Sequence, residues 1–158
     1  MSLVYNSNDL IYSSSVPLVT AGLAYAAGNV VGGLLQFPCG VANTMVFQEV
    51  IVNFKSVQPA GISLILFSGL PINSTFTDKT APSINALDTG LCLGYVPIST
   101  VSSALGVHTN MTTTFIGAML KAIPAASNSL YGLLITTGTP TYTTTSDLVN
   151  VCIGVQKG

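Results

Sequence analysis

The hydrophobic pattern limits the fold of this chain more than any other feature, because short apolar runs recur between clusters of Gly, Pro, Asn, Ser and Thr. No segment keeps apolar residues at a helical period of 3.6 over three or four turns. Residues 149–155 instead place Val or Ile at every second position, and Val50, Val52 and Phe54 repeat this alternation. Such alternation is typical of half-buried strands. The pattern therefore predicts an all-β protein.

Eight segments fit strands by this criterion. The segment ISLILF at 62–67 is apolar on both faces, which predicts a strand that is covered on both sides, either central in a sheet or at an interface. The predicted strands are residues 17–25, 30–37, 49–55, 62–67, 91–98, 112–120, 130–137 and 149–155.

The connections between these strands predict how they are arranged. Most are short and rich in turn-forming residues, as at 26–29, 56–61 and 137–140, and short connections make neighbouring strands antiparallel. The longest connection, 68–90, is expected to cross between sheets, and 81–88 within it fits a single helical turn. The sequence thus predicts a two-sheet antiparallel β-sandwich, with the jelly roll as the favoured form, without giving the strand order.

The length of 158 residues suits a single domain. Residues 1–16 scatter apolar side chains among polar ones and are interpreted as an extended N-terminal arm, and residues 17–158 as the sandwich domain. Chain ends are ordered only when something holds them. A neighbouring subunit could hold this arm.

Charged residues are scarce. They make up 6% of the chain, with four basic and five acidic side chains, where a soluble domain has about 25%. The net charge of −1 and the absence of a basic cluster argue against nucleic acid and anionic membranes as partners. The charge-free stretches 10–48 and 89–120 are broken by Gly, Pro and polar residues, so no transmembrane helix is predicted, and the first residues lack the features of a secretory signal.

The chain offers little for catalysis or metal binding. Cys39, Cys92 and Cys152 are widely spaced without a CxxC pair, which predicts buried free thiols rather than disulfides or a zinc site. His108 is the sole histidine, and a Cys39–His108 dyad is possible on residue types alone. A buried thiol and a loop histidine are the favoured interpretation. No catalytic, cofactor-binding or metal-binding residue is therefore assigned.

Three further patterns have both a functional and a structural interpretation. The glycines of GNVVGG (28–33) lack the Lys and Ser/Thr of a phosphate-binding loop and are interpreted as strand bends. Asp78, with Thr77 and Asp88, could supply oxygen ligands to calcium, but no spaced run of acidic residues supports a site, and aspartates that cap turns are more common. The hydroxyl-rich segments are TYTTTSD (141–147) and MTTT (111–114), which could contact a sugar or simply favour strands.

The scarcity of charge has a consequence for the surface. Interface cores are depleted in Lys, Glu and Asp, and contiguous exposed apolar patches usually mark contact sites. A chain with so few charges is expected to be covered by partners, which favours a structural subunit over a freely diffusing enzyme. The six tyrosines are interpreted mainly as packing residues.

Three ordered blocks stand out in the sequence: AGLAYAAGNVVGGLLQF (21–37), LILFSGLPINSTFTDKTAPSINALD (64–88) and SLYGLLITTGTPTYTTTSDLVNVCIGV (129–155). Together they resemble a family of small tailed-bacteriophage virion structural proteins. The chain departs from the family pattern at Asn29, where members tend to have Asp, and in its last strand, which lacks an Arg.

The resemblance implies a capsid decoration (cement) protein that binds the outer capsid shell and bridges major capsid subunits. The expected partners are the major capsid protein and further copies of the chain, as a homodimer or homotrimer, and the expected location is the capsid surface after synthesis in the host cytoplasm. No cofactor is expected. The alternative is a binding module of a tail, head fibre or adhesin, which the Thr-rich segments would suit. An enzyme, such as a hydrolase that depends on Cys39, is the third and least favoured hypothesis, so the chain is not expected to be an enzyme.

Overall fold

The computed structural model describes residues 7–40, 45–57, 61–98, 103–105, 108–120 and 128–157. Within these ranges the chain forms nine strands and one 3₁₀ helix, Ala86–Leu91. The strands are β1 (Ser7–Tyr12), β2 (Val30–Pro38), β3 (Met45–Phe54), β4 (Ile62–Phe67), β5 (Cys92–Ile98), β6 (Ser103–Leu105), β7 (His108–Leu120), β8 (Ser129–Thr136) and β9 (Leu148–Lys157).

The strands form two antiparallel sheets, which confirms the predicted β-sandwich. The first sheet has the order β1-β9-β3-β7-β6, and the second has the order β2-β8-β4-β5. Every strand pair is antiparallel. At the two sides of the sandwich, β1 lies beside β2 and β5 lies beside β7. The all-β prediction from the alternating pattern is therefore correct.

The pairing of the strands is nested along the chain. The first strand pairs with the last (β1 with β9), the second with the last but one (β2 with β8), then β3 with β7, and finally β4 with β5. The pairs β3–β9 and β4–β8 then join these ribbons into the two sheets. The short β6 adds to the outer edge of β7.

The main core lies between the two sheets and consists of the side chains that alternate inward. Because side chains point to opposite faces at successive positions, Val50, Val52 and Phe54 of β3 are all buried while their neighbours are half-buried. The other large buried side chains of this core include Leu35, Phe37, Met45, Phe47, Ile62, Leu64, Leu66, Val151 and Ile153. The inward alternation predicted for 49–55 is thus confirmed. For 149–155 the prediction is only partly correct, because Val151, Ile153 and Val155 are buried as expected, but Cys152 and Gly154 are buried as well and Val149 is exposed.

Strand β4 is covered on both faces, as its sequence predicts. Leu64 and Leu66 belong to the main core, whereas Phe67 belongs to a second cluster on the outer face of the second sheet. This cluster contains buried Val30, Phe67, Leu133 and Ile135, and Ile65, Phe76, Leu91 and Tyr131 pack against it.

The long connection between β4 and β5, residues 68–91, provides this outer cover and is called the crossover below. The prediction that it crosses between sheets is wrong, because β4 and β5 are antiparallel neighbours in the second sheet and the connection packs over the outer face of that same sheet. Its Phe76 ring lies 5.8 Å from the ring of Phe67, and Leu91 packs against the same cluster. The helical turn predicted at 81–88 lies further along the chain, in the 3₁₀ helix Ala86–Leu91, which begins after the cap residue Asn85. The Asn85 side chain accepts a hydrogen bond from the backbone N–H of Leu87, which fixes the start of the helix at that point.

The predicted strand at 17–25 is wrong. The segment makes only isolated bridges, from Ala21 to Tyr142 and from Ala24 to Thr141. Its glycine at position 22 has a φ of +72°, which a regular strand does not adopt. Apolar composition alone could not reveal this, because the segment is held by the turn-rich residues 140–145 rather than by a strand.

The part of the predicted N-terminal arm that the structure describes includes β1. Residues Ser7–Tyr12 pair with β9 of the same chain, from Ser7 opposite Lys157 to Tyr12 opposite Cys152. The strand pairing of this segment is therefore intramolecular. Residues 1–6 of the arm and 58–60 of the predicted turn at 56–61 lie outside the described residues.

The glycines of the 28–33 segment produce a bulge in β2, which agrees with their interpretation as strand bends. The register to β8 shifts between Val30 and Leu34, and Gly32 has a φ of +77°. A Cβ atom at Gly32 would lie 2.8 Å from the Cγ atom of Pro17. The position thus requires glycine both for its backbone conformation and for the close approach of the preceding segment.

Candidate interaction surface

Three of the five carboxylates bind loop residues and fasten the connections of the sandwich. Asp78 accepts hydrogen bonds from the Thr20 backbone N–H at 2.6 Å, the Thr20 hydroxyl at 2.7 Å and the Gly32 N–H at 2.6 Å. The hydroxyl of the buried Tyr25 donates to the same carboxylate at 2.8 Å. Asp78 therefore joins the middle of the crossover to the segment before β2 and to the bulge within it.

Asp88 joins the two arms of the crossover. Its carboxylate accepts hydrogen bonds from the Asn73 backbone N–H at 2.9 Å, the Asn73 side-chain amide at 3.0 Å and the Ser74 hydroxyl at 2.6 Å. Although the side chain is buried, these donors favour the charged form, so the hydrogen bond from Ser74 above all lowers the pKa of Asp88. The interpretation of this aspartate as a turn-stabilising residue agrees with the structure.

Asp147 fastens the Thr-rich loop to the end of β3. It accepts hydrogen bonds from the backbone N–H and hydroxyl of Ser56 at 2.8 and 2.6 Å, and from the N–H and hydroxyl of Thr143 at 2.8 and 3.2 Å. Burial alone would raise the pKa of this carboxyl, but the four donors outweigh burial and lower it. The loop residues Thr141, Thr143, Thr144, Thr145 and Ser146 remain exposed.

Asp78 and Asp88 accept hydrogen bonds from separate sets of N–H and O–H donors. In the part of the chain that the structure describes, no three His, Cys, Asp or Glu side chains lie together as a metal-binding group.

The topology separates Cys39 from His108. Cys39 is buried in the connection that leads from β2 to the start of β3, and its thiol donates to the carbonyl oxygen of Phe37. His108 begins β7 beside the other end of β3, because Thr109 pairs with Phe54. A strand of ten residues spans about 30 Å, so the two residues lie at opposite ends of the sandwich. The side chains of His108 and of residues 111–114 lie outside the described part of the chain.

No disulfide joins the three cysteines, as predicted, but only two of them are buried. Cys39 and Cys152 are buried, and burial raises the pKa of the Cys152 thiol. Cys92 is exposed at the start of β5, so the prediction of three buried thiols is wrong at this position. The reason is that β5 is the edge strand of the second sheet and the crossover ends just before its first residue.

The tyrosines divide between core and surface. Tyr25 and Tyr142 are buried with an edge-to-face ring contact at 5.0 Å, and Tyr142 stacks on Phe54 at 5.5 Å. Burial raises the pKa of the Tyr25 hydroxyl, and the hydrogen bond to Asp78 acts in the same direction. Tyr12 and Tyr95, in contrast, are more than half exposed.

Large apolar side chains are exposed on several parts of the surface. Among the described residues they are Leu10, Tyr12, Leu18, Leu23, Val57, Leu70, Ile72, Ile84, Leu87, Tyr95 and Val149. The two most exposed are Ile72 at 75% and Leu87 at 78%, both in the crossover. These two residues cannot be singled out from the sequence, because isolated apolar positions in a turn-rich loop carry no periodic signal.

Four of these side chains belong to the crossover, and we call Leu70, Ile72, Ile84 and Leu87 the crossover patch. Ile72 is next to Asn73 and Leu87 is next to Asp88, and the hydrogen bonds between Asn73 and Asp88 bring the two chain segments together. Phe76 and Leu91 of the crossover are partly buried against the second cluster, whereas its aliphatic side chains Leu70, Ile72, Ile84 and Leu87 are exposed. This arrangement is suited to contact with another apolar surface.

Comparison with protein-family models, curated proteins and solved structures gives no match to this chain. Within the described residues, no helix has the length and apolar character that a membrane span requires.

Proposed function

We propose that this chain is a structural protein of a bacteriophage virion, and that it decorates the outer capsid shell as a cement protein. The exposed apolar side chains on hydrogen-bonded loops, in a chain with only nine charged residues, carry this proposal. Three carboxylates are occupied in fastening loops. The surface therefore offers aliphatic and uncharged polar groups for contact, as the core of a protein interface does.

The strand arrangement supports the same role. From the nested pairs of strands we infer that the sandwich is a jelly roll, a fold used by viral capsid and lectin domains. Fold alone does not define function. The jelly-roll topology supports the proposal because it agrees with the family resemblance of the three sequence blocks and with the scarcity of charge on the surface.

The proposed mechanism is mechanical. Contacts of the chain with the major capsid protein and with further copies of itself would bury apolar area, which stabilises by about 25 cal/mol per Å². Repeated over many copies around the shell, this burial opposes the outward pressure of packaged DNA. Symmetry axes of the shell suit homodimers or homotrimers. The chain would be made in the host cytoplasm and act on the capsid surface without a cofactor, metal, nucleic acid or membrane.

The test is cryo-electron microscopy of the virion together with its thermal stability. We expect density for the sandwich on the outer shell at defined symmetry positions. Particles that lack the chain should release their DNA at a lower temperature, and added purified chain should restore the difference. Particles without this density, or with unchanged DNA release when the chain is missing, would contradict the cement role.

The alternative is a binding module of a tail, head fibre or adhesin, and the exposed Thr-rich loop favours it. Asp147 binds this loop through Thr143, and the neighbouring Thr144 and Thr145 are exposed. A glycan array tests this candidate with Thr144→Ala and Thr145→Ala as variants that leave the Asp147 contacts intact. Binding that depends on these hydroxyls, together with density on the tail or fibre, would support the alternative over cement.

A further inference from the structure

We draw no further inference here: the strongest candidate, the crossover patch of exposed aliphatic side chains in the connection between β4 and β5, carries nothing because nothing in the structure shows what covers it.

Discussion

Single aspartates hold loops in this protein where other folds use a helix or a disulfide. Asp78, Asp88 and Asp147 each connect segments far apart in the sequence or bring together the two arms of one loop, and each does so through several short hydrogen bonds. Charge-assisted hydrogen bonds of this kind are stronger than neutral ones. The scarce carboxylates are therefore placed where they order the loops, and the exposed surface is left to uncharged groups.

Because the pKa values of Asp88 and Asp147 are lowered in the folded chain, the free energy of unfolding depends on pH in the acid range. Their carboxyls bind protons more weakly in the folded chain than in the unfolded chain, where the pKa is about 3.9. The stabilisation is thus complete above that value and is lost as the pH falls through the folded pKa. Urea unfolding should give a constant free energy between about pH 7 and pH 5 and a decrease below about pH 4.

The variant Ser56→Ala checks the cause of this acid dependence. It removes the hydroxyl that donates to Asp147 at 2.6 Å, so the pKa of Asp147 should rise toward its unfolded value. A smaller loss of stability between about pH 4 and pH 2 is expected, measured by the same urea unfolding. If the free energy of unfolding of Ser56→Ala falls with acid as steeply as that of the wild type, Asp147 is not the source of the acid dependence.

Gly32 is the position where backbone conformation and packing act together. In the variant Gly32→Ala, the alanine must adopt a left-handed backbone conformation and its Cβ atom lies against Pro17. The substitution also disturbs the backbone N–H that binds Asp78. We expect a loss of about 3 kcal/mol, from about 1 kcal/mol of backbone strain and about 1–3 kcal/mol of overpacking.

The matched control is Gly22→Ala, since Gly22 has nearly the same φ, +72°, and a Cβ atom added there would meet no other atom within 4 Å. It should cost only the backbone strain, about 1 kcal/mol. Urea unfolding of both variants gives the comparison. Equal losses would mean that the contact with Pro17 contributes nothing.

At the scale of elements, the crossover is the part of the fold that gives the second sheet its outer layer. Phe76 and Leu91 cover the apolar outer face that Ile65, Phe67 and Leu133 would otherwise expose. The backbone of Val30 also pairs with the crossover, since its N–H donates to Thr80 and its carbonyl accepts from Lys79. The crossover is thus a packed element rather than a free loop.

The variant Phe76→Ala tests this view of the crossover. Phe76 is half-buried, and its ring contacts Phe67, so its loss should cost about 2 kcal/mol, less than the roughly 3–5 kcal/mol of a fully buried phenylalanine. The exposed Leu18→Ala is the control and should change stability by less than about 0.5 kcal/mol. The free energies of unfolding of the two variants are measured in urea under conditions where the chain is monomeric. Similar small effects would contradict a packed crossover.

The elements whose side chains alternate could be predicted from the sequence, whereas those defined by tertiary contacts could not. The inward alternation of Val50, Val52 and Phe54, and the two-faced burial of β4, follow from a period of two and from apolar residues on both faces. The segment 17–25 has a similar apolar composition but is bound to residues 140–145, which no local pattern reveals. The exposure of Ile72 and Leu87 could not be predicted either, because it depends on which face of the crossover packs against the sheet.

At the scale of the whole molecule, strand order is the property that composition could not supply. Alternation indicates which face of a strand is buried, but pairing partners depend on long-range contacts such as β1 with β9, at opposite ends of the chain. The surface, in contrast, follows from composition: a chain with 6% charged residues must expose uncharged groups. Binding to a partner should then depend on the burial of apolar surface rather than on complementary charge.

Association driven by apolar burial should be nearly independent of ionic strength. With a net charge of −1 and few exposed charges, little electrostatic attraction exists for salt to screen. The dissociation constant for pairing of two copies, or for binding to capsid shells, should therefore change by less than about threefold between about 0.05 and 0.5 M NaCl. Ammonium sulfate should strengthen the same contact, because it is excluded from apolar surface. Sedimentation measures the dissociation constant at each salt concentration. A dissociation constant that rises about tenfold or more with NaCl would instead mean that the few charged residues carry the contact.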